Sequence, residues 1–175
     1  MSLDYLLASL PGLTLGQPPP FASEDFIELC NEQASVELGA AVDALLKEKP
    51  HSHPFVVEWV DKETILRNAV AAKRSTRLGA DPAHWQHATI GCDLRITAAV
   101  DNAFAMANPL DRELALDKLR WAVAEELRGP DLFNEKTLLV YAIHLRLTER
   151  WHKLKKEPAR ERAALLTDVA IEIAE

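Results

Sequence analysis

The chain has 175 residues, 48% hydrophobic and 27% charged, which is typical of a soluble globular protein with one main core. No stretch approaches the roughly 18 unbroken apolar residues that a membrane-spanning helix needs. The net charge is −7, and residues 1–60 alone account for −7. This acidic balance argues against general nucleic-acid binding, which requires a basic face, and favours electrostatic complementarity to another protein.

The first third of the chain predicts an extended lead followed by two helices. Three consecutive prolines at 18–20 are incompatible with a helix, so we expect an extended Pro-rich lead over residues 1–22 that wraps the bundle. Ser23 and Ser35 are suitable N-caps for two helices, and the second should stop before Pro50.

The middle of the chain predicts one short extended run and a long helix. The run covers residues 55–60 and is rich in valine and aromatic residues. Asp61 can cap a helix that Gly79 would end. Pro82 suits the first turn of another helix, and a further helix should cover about residues 92–107.

The last part of the chain carries strong helix signals. Asn108 can cap a helix that Gly129 ends, and Asn134 can cap the next one. Pro158 restarts the chain into an apolar helical pattern that reaches residue 175.

These elements predict an all-α fold of about seven helices in a single domain that covers residues 1–175. We expect the extended lead at 1–22, acidic-to-basic N-terminal helices at 23–79, and a C-terminal helical bundle at 80–175.

Two histidine clusters are candidate metal sites. His84 and His87 are three residues apart, with Cys92 close behind, and His51 and His53 lie between two prolines. A zinc site usually has four ligands, so the first cluster would need the second to fold over it. A partly exposed helix turn and a solvated loop explain the same residues. Because no P-loop or nucleophile elbow is present, we predict no cofactor, no metal and no enzymatic activity, with a His-dependent metalloenzyme as an alternative.

Cysteine usage and the N-terminus predict the compartment. Cys30 and Cys92 are the only two cysteines, a pattern that favours reduced thiols in the cytoplasm. Asp4 and Pro11 disfavour a secretory signal at the start of the chain. We therefore expect a cytoplasmic protein.

Basic residues are concentrated in two predicted helices. Arg146, Arg150 and Lys153 accompany the apolar stripe of the helix that follows Asn134. A second group, in the helix that Gly79 ends, is Arg67, Lys73, Arg74 and Arg77. These groups permit a helical nucleic-acid or small-ligand binding module as an alternative function. The apolar stripe indicates that the first of these helices belongs to the core and does not read a groove of DNA.

Four stretches together resemble a known family. They are YLLASLPGL (5–13), ILRNAVAAKRSTRLG (65–79), NPLDRELALDKLRW (108–121) and LLVYAIHLRLTERW (138–151), and they resemble the successive motifs of the bacterial domain of unknown function 2764. Genes of that family lie in V-type ATPase clusters. Its members distantly resemble the all-helical V-type ATPase component that joins the central stalk to the membrane ring.

The resemblance is carried by individual residues in three regions. They are Tyr5, Leu10, Pro11 and Leu13, then Leu66, Arg67, Asn68 and Arg77, and finally Asp117, Arg120, Trp121, Tyr141, Leu145, Arg150 and Trp151. It implies a non-catalytic subunit or accessory factor whose partners are V-type ATPase stalk and membrane-ring subunits. It also implies no direct contact with nucleic acid, and a location at the inner face of the membrane only through the complex.

Interfaces of such an adaptor should use aromatic and arginine anchors. The candidate partner-binding residues are Arg67, Arg74, Arg77, Tyr141, Arg150 and Trp151. An alternative for the last three is that they clamp a neighbouring helix. We also expect Trp121 and Trp151 to stack on Arg120 and Arg150 inside the protein.

Overall fold

The computed structural model describes residues 3–89 and 91–156, and these residues contain helices and no strand. The helices are α1 (Leu3–Ser9), α2 (Ser23–Gln33), α3 (Val36–Leu46), α4 (Pro54–Leu78), a short 3-10 helix (Pro82–His84), α5 (Leu94–Ala105), α6 (Pro109–Arg128) and α7 (Glu135–Lys156). The predicted all-α fold is therefore confirmed. The helix predicted after Pro158 lies outside the described residues.

Several predicted helix ends coincide with local capping chemistry. The Ser35 hydroxyl accepts the Leu38 N–H at the start of α3, and the Asn108 side chain accepts the Leu110 N–H at the start of α6. Gly79 ends α4 with a φ of +64°, in the left-handed region that favours glycine. Asn134 accepts the Thr137 N–H at 3.1 Å beside the start of α7. These ends were predictable because each depends on one or two adjacent side chains.

The prediction of an extended run at 55–60 is wrong, since these residues form the first turns of α4. His53 precedes the helix, and its ring nitrogen Nδ1 accepts the Phe55 N–H at 3.2 Å. Phe55 and Trp59 are buried on the side of α4 that also buries Leu66. Burial at helical spacing therefore outweighs the weak strand preference of the valines. As a consequence, Asp61 lies inside the helix and is not its cap.

The N-terminal lead is partly helical. Residues 3–9 form α1, which corrects the prediction of an entirely extended segment at 1–22, while residues 10–22 have no helix. Within the latter segment, Leu10, Leu13, Leu15 and Phe21 pack against the core. The Tyr141 hydroxyl donates to the Pro11 carbonyl oxygen at 3.0 Å, so the segment is also bonded to α7.

The start of α2 uses a different cap from the one predicted. Ser23 is its first helical residue and Ala22 is the N-cap, with the Asp25 carboxylate accepting the Ala22 N–H at 3.2 Å. The Ser23 N–H donates to Glu149 Oε1 at 2.7 Å. The free N–H groups of this helix are thus satisfied partly by α7, a partner that local sequence cannot identify.

Helix α7 is the centre of the core. It packs against α1, α2, α3 and α6, while α4 packs chiefly against α5 and α6. Leu138, Leu139, Ile143 and Leu145 are fully buried, so α7 contributes apolar side chains to more than one neighbour. The opposite end of α7 carries charged residues that face α4 and α6, and a cavity lies there.

Candidate functional site: the arginine cleft

A cavity of about 730 Å³ lies among α4, α6, α7 and the residues that follow α3 and α4. We call it the arginine cleft. Its charged lining residues are Arg67, Arg74, Arg120, Arg146 and Arg150, together with Glu48, Glu63, Glu113 and Asp117. Its apolar walls include Val70, Leu78, Trp85, Leu116 and Leu147.

Helical spacing explains how these charged residues share one cavity. Residues three, four or seven apart in a helix point to the same side. Glu63, Arg67 and Arg74 follow such intervals in α4, Glu113, Asp117 and Arg120 follow them in α6, and Arg146 and Arg150 follow them in α7. The three helices therefore direct one charged face each toward a common centre.

Asp117 forms the floor of the cleft. It has no exposed surface, yet its carboxylate accepts hydrogen bonds from Arg120 Nη1 at 2.9 Å and from the Trp151 indole Nε1 at 2.8 Å. Arg150 Nη1 donates to Asp117 Oδ2 as well. A buried carboxylate is costly unless it is paired, and here α6 and α7 both supply donors. The predicted Asp117–Arg120 pair within α6 is confirmed.

Glu63 is the matching carboxylate on α4 and is 8% exposed. Arg120 donates to it through Nε at 3.0 Å and Nη2 at 2.9 Å, and Arg67 Nε donates at 2.9 Å. Burial by itself would raise the pKa of Glu63, but the charges and hydrogen bonds of Arg120 and Arg67 hold that pKa below its usual value. Glu63 is therefore ionised at neutral pH, and Arg120 links α4 to Asp117 of α6.

Glu48 closes one side of the cleft. Its Oε1 accepts from Arg67 Nη2 at 2.9 Å and lies 3.1 Å from Arg146 Nη1. Arg146 Nη1 also donates to the Leu45 carbonyl oxygen at 3.0 Å, so it fastens α7 to the end of α3. Burial lowers the pKa of Arg146 despite the carboxylate of Glu48. Arg146 thus faces inward and is poorly placed to contact a nucleic-acid phosphate.

The mouth of the cleft is less tightly bonded than the floor. The Arg74 side chain is 62% exposed, and its nearest carboxylate oxygen, Glu113 Oε1, is 3.6 Å away. Glu113 Oε2 already accepts from Arg150 Nη2 at 2.9 Å. Trp85 is 53% exposed beside the same opening. Arg74 and Trp85 are therefore available to a molecule that enters from solvent.

Four of the six candidate partner-binding residues meet at this cleft. Arg67, Arg74 and Arg150 line it, and Trp151 lies behind it with 4% exposure, bonded to Asp117. Trp151 thus clamps α7 onto α6, which is the alternative role predicted for it, and is not stacked on Arg150 as expected.

The other two candidates lie elsewhere. Arg77 Nη2 donates to the Phe104 carbonyl oxygen at 2.6 Å, and its guanidinium lies 5.3 Å from the centre of the Phe104 ring. It joins α4 to the end of α5. Tyr141 joins α7 to the lead through Pro11, and its ring lies 5.0 Å from that of Phe26.

A second buried pair, between Trp121 and His144, is not predicted by the sequence. The two rings are stacked with centroids 3.6 Å apart, so Trp121 does not pair with Arg120 in the manner expected. Burial chiefly lowers the pKa of His144 to about 4, with Arg128 adding to the effect and a bond to the Trp121 carbonyl opposing it. Glu125 is 3.7 Å from His144, but Arg128 already pairs with Glu125 at 2.6 Å. His144 is therefore neutral at pH 7.

The remaining histidines of the two clusters have local roles. His51 Nδ1 accepts the His53 N–H at 3.1 Å, and His53 caps α4. The His87 backbone is bonded to the side chain of Asn68, while the His84 ring packs edge-on against Trp85. Within residues 3–89 and 91–156, no three His, Cys, Asp or Glu side chains are grouped closely enough to hold a metal ion.

Comparison with known proteins adds no relative. The chain matches no protein-family model, no curated protein and no solved structure. Among the helices of the described segments, none is both long enough and apolar enough to cross a lipid bilayer. Its function must therefore be inferred from its own residues and from the resemblance of its motifs.

Proposed function

We propose that the protein is a non-catalytic subunit or accessory factor of a bacterial V-type ATPase. In this role it is an adaptor between the central stalk and the membrane ring. One observation carries the proposal beyond the motifs themselves. The residues that resemble the family are widely separated in sequence, yet Arg67, Asp117, Arg120, Arg150 and Trp151 meet around one cleft.

A second contact joins the first motif to the last. Tyr141 bonds to Pro11 across 130 positions of sequence. Motifs that are far apart and make one connected set of contacts are what a shared fold requires, which supports treating the four stretches as one family pattern. An adaptor under load also needs helices that are fastened together, and the ion pairs of the cleft join α4, α6 and α7.

The surface most suited to a protein partner lies on α2 and the start of α3. Its exposed acidic residues, here called the acidic face, are Glu24, Asp25, Glu28, Glu32 and Glu37. No Lys or Arg occurs before Lys47, so this face has no basic residue of its own segment nearby in sequence. Such a face suits a basic partner surface and speeds association with it.

The test is affinity capture of the tagged full chain from its native cells in mild detergent, followed by mass spectrometry. We expect the wild type to enrich V-type ATPase stalk and ring subunits. Charge reversal on the acidic face, Glu28→Lys with Glu32→Lys, should lower that enrichment by about tenfold, because each reversed charge adds repulsion to a basic partner.

The matched control reverses two other exposed carboxylates, Glu58→Lys with Asp61→Lys on α4. This variant should capture as much as the wild type. If wild type enriches no V-type ATPase subunits in cells shown to contain the complex, the proposal is wrong. If wild type and both variants capture equally, the adaptor role stands and the acidic face is not its docking surface.

A further inference from the structure

We propose that the arginine cleft is a binding site for a small organic anion that has an aromatic or apolar body and a phosphate or carboxylate group. This site would be additional to the adaptor role and does not depend on it. The proposal rests on the donor excess of the cleft, its open mouth and its mixed walls.

The cleft contains more hydrogen-bond donors than its own carboxylates can accept. Five guanidinium groups line it and supply about 25 N–H donors, whereas four carboxylates offer roughly 16 acceptor positions. One acceptor position on Asp117 is also taken by Trp151. The local charge of these nine residues is +1, opposite in sign to the chain as a whole. An anion would supply the acceptors that the cleft lacks.

Arg74 is the guanidinium best placed to receive that anion. At 3.6 Å its contact with Glu113 is too long for a hydrogen bond, whereas Arg120 deep in the cleft is held by several short ones. The planar fork of arginine binds phosphate and carboxylate oxygens through paired N–H groups. Arg74 can bind in this way without breaking the buried pairs on which the fold depends.

The walls of the cleft suit the body of the ligand. Val70, Leu116 and Leu147 provide apolar surface inside, and Trp85 offers an exposed aromatic ring at the opening. A volume of about 730 Å³ falls within the range of roughly 300–1,000 Å³ found for small-molecule sites. The combination of an aromatic ring with a loosely paired arginine favours an aromatic anion over a bare inorganic ion.

Isothermal titration calorimetry on the full chain tests the site with naphthyl phosphate and naphthoate as probes. Inorganic phosphate and naphthalene methanol, which each carry half of the recognition chemistry, are the comparison ligands. We expect at least one aromatic anion to bind about tenfold more tightly than either comparison ligand, because both the charge and the ring contribute.

Variants locate the binding. Arg74→Gln should weaken binding of the aromatic anion about tenfold, and Trp85→Ala about threefold, through loss of the charge-assisted bonds and of ring contact. Arg95→Gln is the matched control, since Arg95 is 69% exposed, pairs with Glu126 and does not line the cleft. Its affinity should equal that of the wild type. Unchanged thermal melting of all three variants would show that folding is intact.

Two results would overturn this site. One is no saturable binding of either aromatic anion up to about 1 mM, the weak end of specific affinity. The other is binding that Arg74→Gln and Arg95→Gln alter equally, which would indicate general attraction to surface charge. Neither result bears on the capture of V-type ATPase subunits, so this proposal and the adaptor role can fail independently.

Discussion

Asp117 shows how a single residue can determine the stability of this fold. The carboxylate is fully buried, and removal of its charge leaves Arg120 and Arg150 without their shared partner. We expect Asp117→Asn to lower the free energy of unfolding by about 3–5 kcal/mol, the usual cost of breaking a buried ion pair from one side. Urea denaturation of the purified chain measures this change.

Asp101→Asn is the control for that substitution. Asp101 pairs with Lys73 at 2.8 Å, but its side chain is 47% exposed. Water and salt screen such a pair, so its loss should cost about 0–1 kcal/mol. Equal effects of the two substitutions would show that burial of Asp117 contributes nothing special.

His144 should make stability depend on pH in a defined window. Its pKa is about 4 in the folded protein, whereas an unfolded histidine has its ordinary value of 6.5. The unfolded chain therefore binds the proton more readily, and stability should fall as pH drops from 6.5 to 4. The difference corresponds to about 3 kcal/mol at most.

Urea unfolding at several pH values measures the effect of His144. In His144→Phe, which keeps an aromatic ring against Trp121, the decline between pH 6.5 and pH 4 should be smaller than in the wild type. His87→Gln, at an exposed position, should retain the full decline. A His144→Phe profile that overlays the wild type would assign the pH dependence to other groups.

At the scale of elements, Tyr141 tests whether one bond holds the lead on α7. Tyr141→Phe removes the hydroxyl that donates to Pro11 and should cost about 0.5–1 kcal/mol. The loss should appear as faster amide hydrogen exchange in residues 3–15, while α7 keeps its protection. Tyr5→Phe is the control, since the Tyr5 side chain is 61% exposed. Equal exchange in both variants would mean that apolar packing alone holds the lead.

The elements also show which parts of the fold sequence can predict. The cap at Ser35 and the stop at Gly79 were predictable, since each needs only the chemistry of adjacent residues. The start of α4 at Pro54 was not, because the side that Phe55 buries is decided by helices distant in sequence. A histidine cap at His53 also lacks the side-chain oxygen by which N-caps are usually recognised.

The candidate site was predictable only within single helices. The Asp117–Arg120 pair follows from a spacing of three residues, and a spacing of four is the local signal for Glu63–Arg67. The bond between Glu63 and Arg120 spans 57 positions, so nothing local indicates it. The cleft therefore depends on tertiary packing that a single sequence does not display.

On the scale of the whole molecule, the ion pairs of the cleft connect two packing groups. Helix α4 packs chiefly with α5 and α6, and α7 packs with α1, α2, α3 and α6. Arg120 of α6 binds Glu63 of α4 and also Asp117, which is bonded to α7. If the protein transmits force as an adaptor, this bridge is what makes the two groups move together.

A double-mutant cycle between Glu63→Gln and Arg120→Gln measures the strength of that bridge. Because both side chains are buried and in contact, we expect a coupling free energy of about 1–3 kcal/mol in urea unfolding. The cycle between Arg95→Gln and Glu126→Gln is a geometric match, with two bonds of 2.9 Å between exposed partners. Its coupling should be about 0–1 kcal/mol. If the buried cycle yields no more than the exposed one, apolar packing alone holds the two groups together, and the cleft is free to be a ligand site without a structural role.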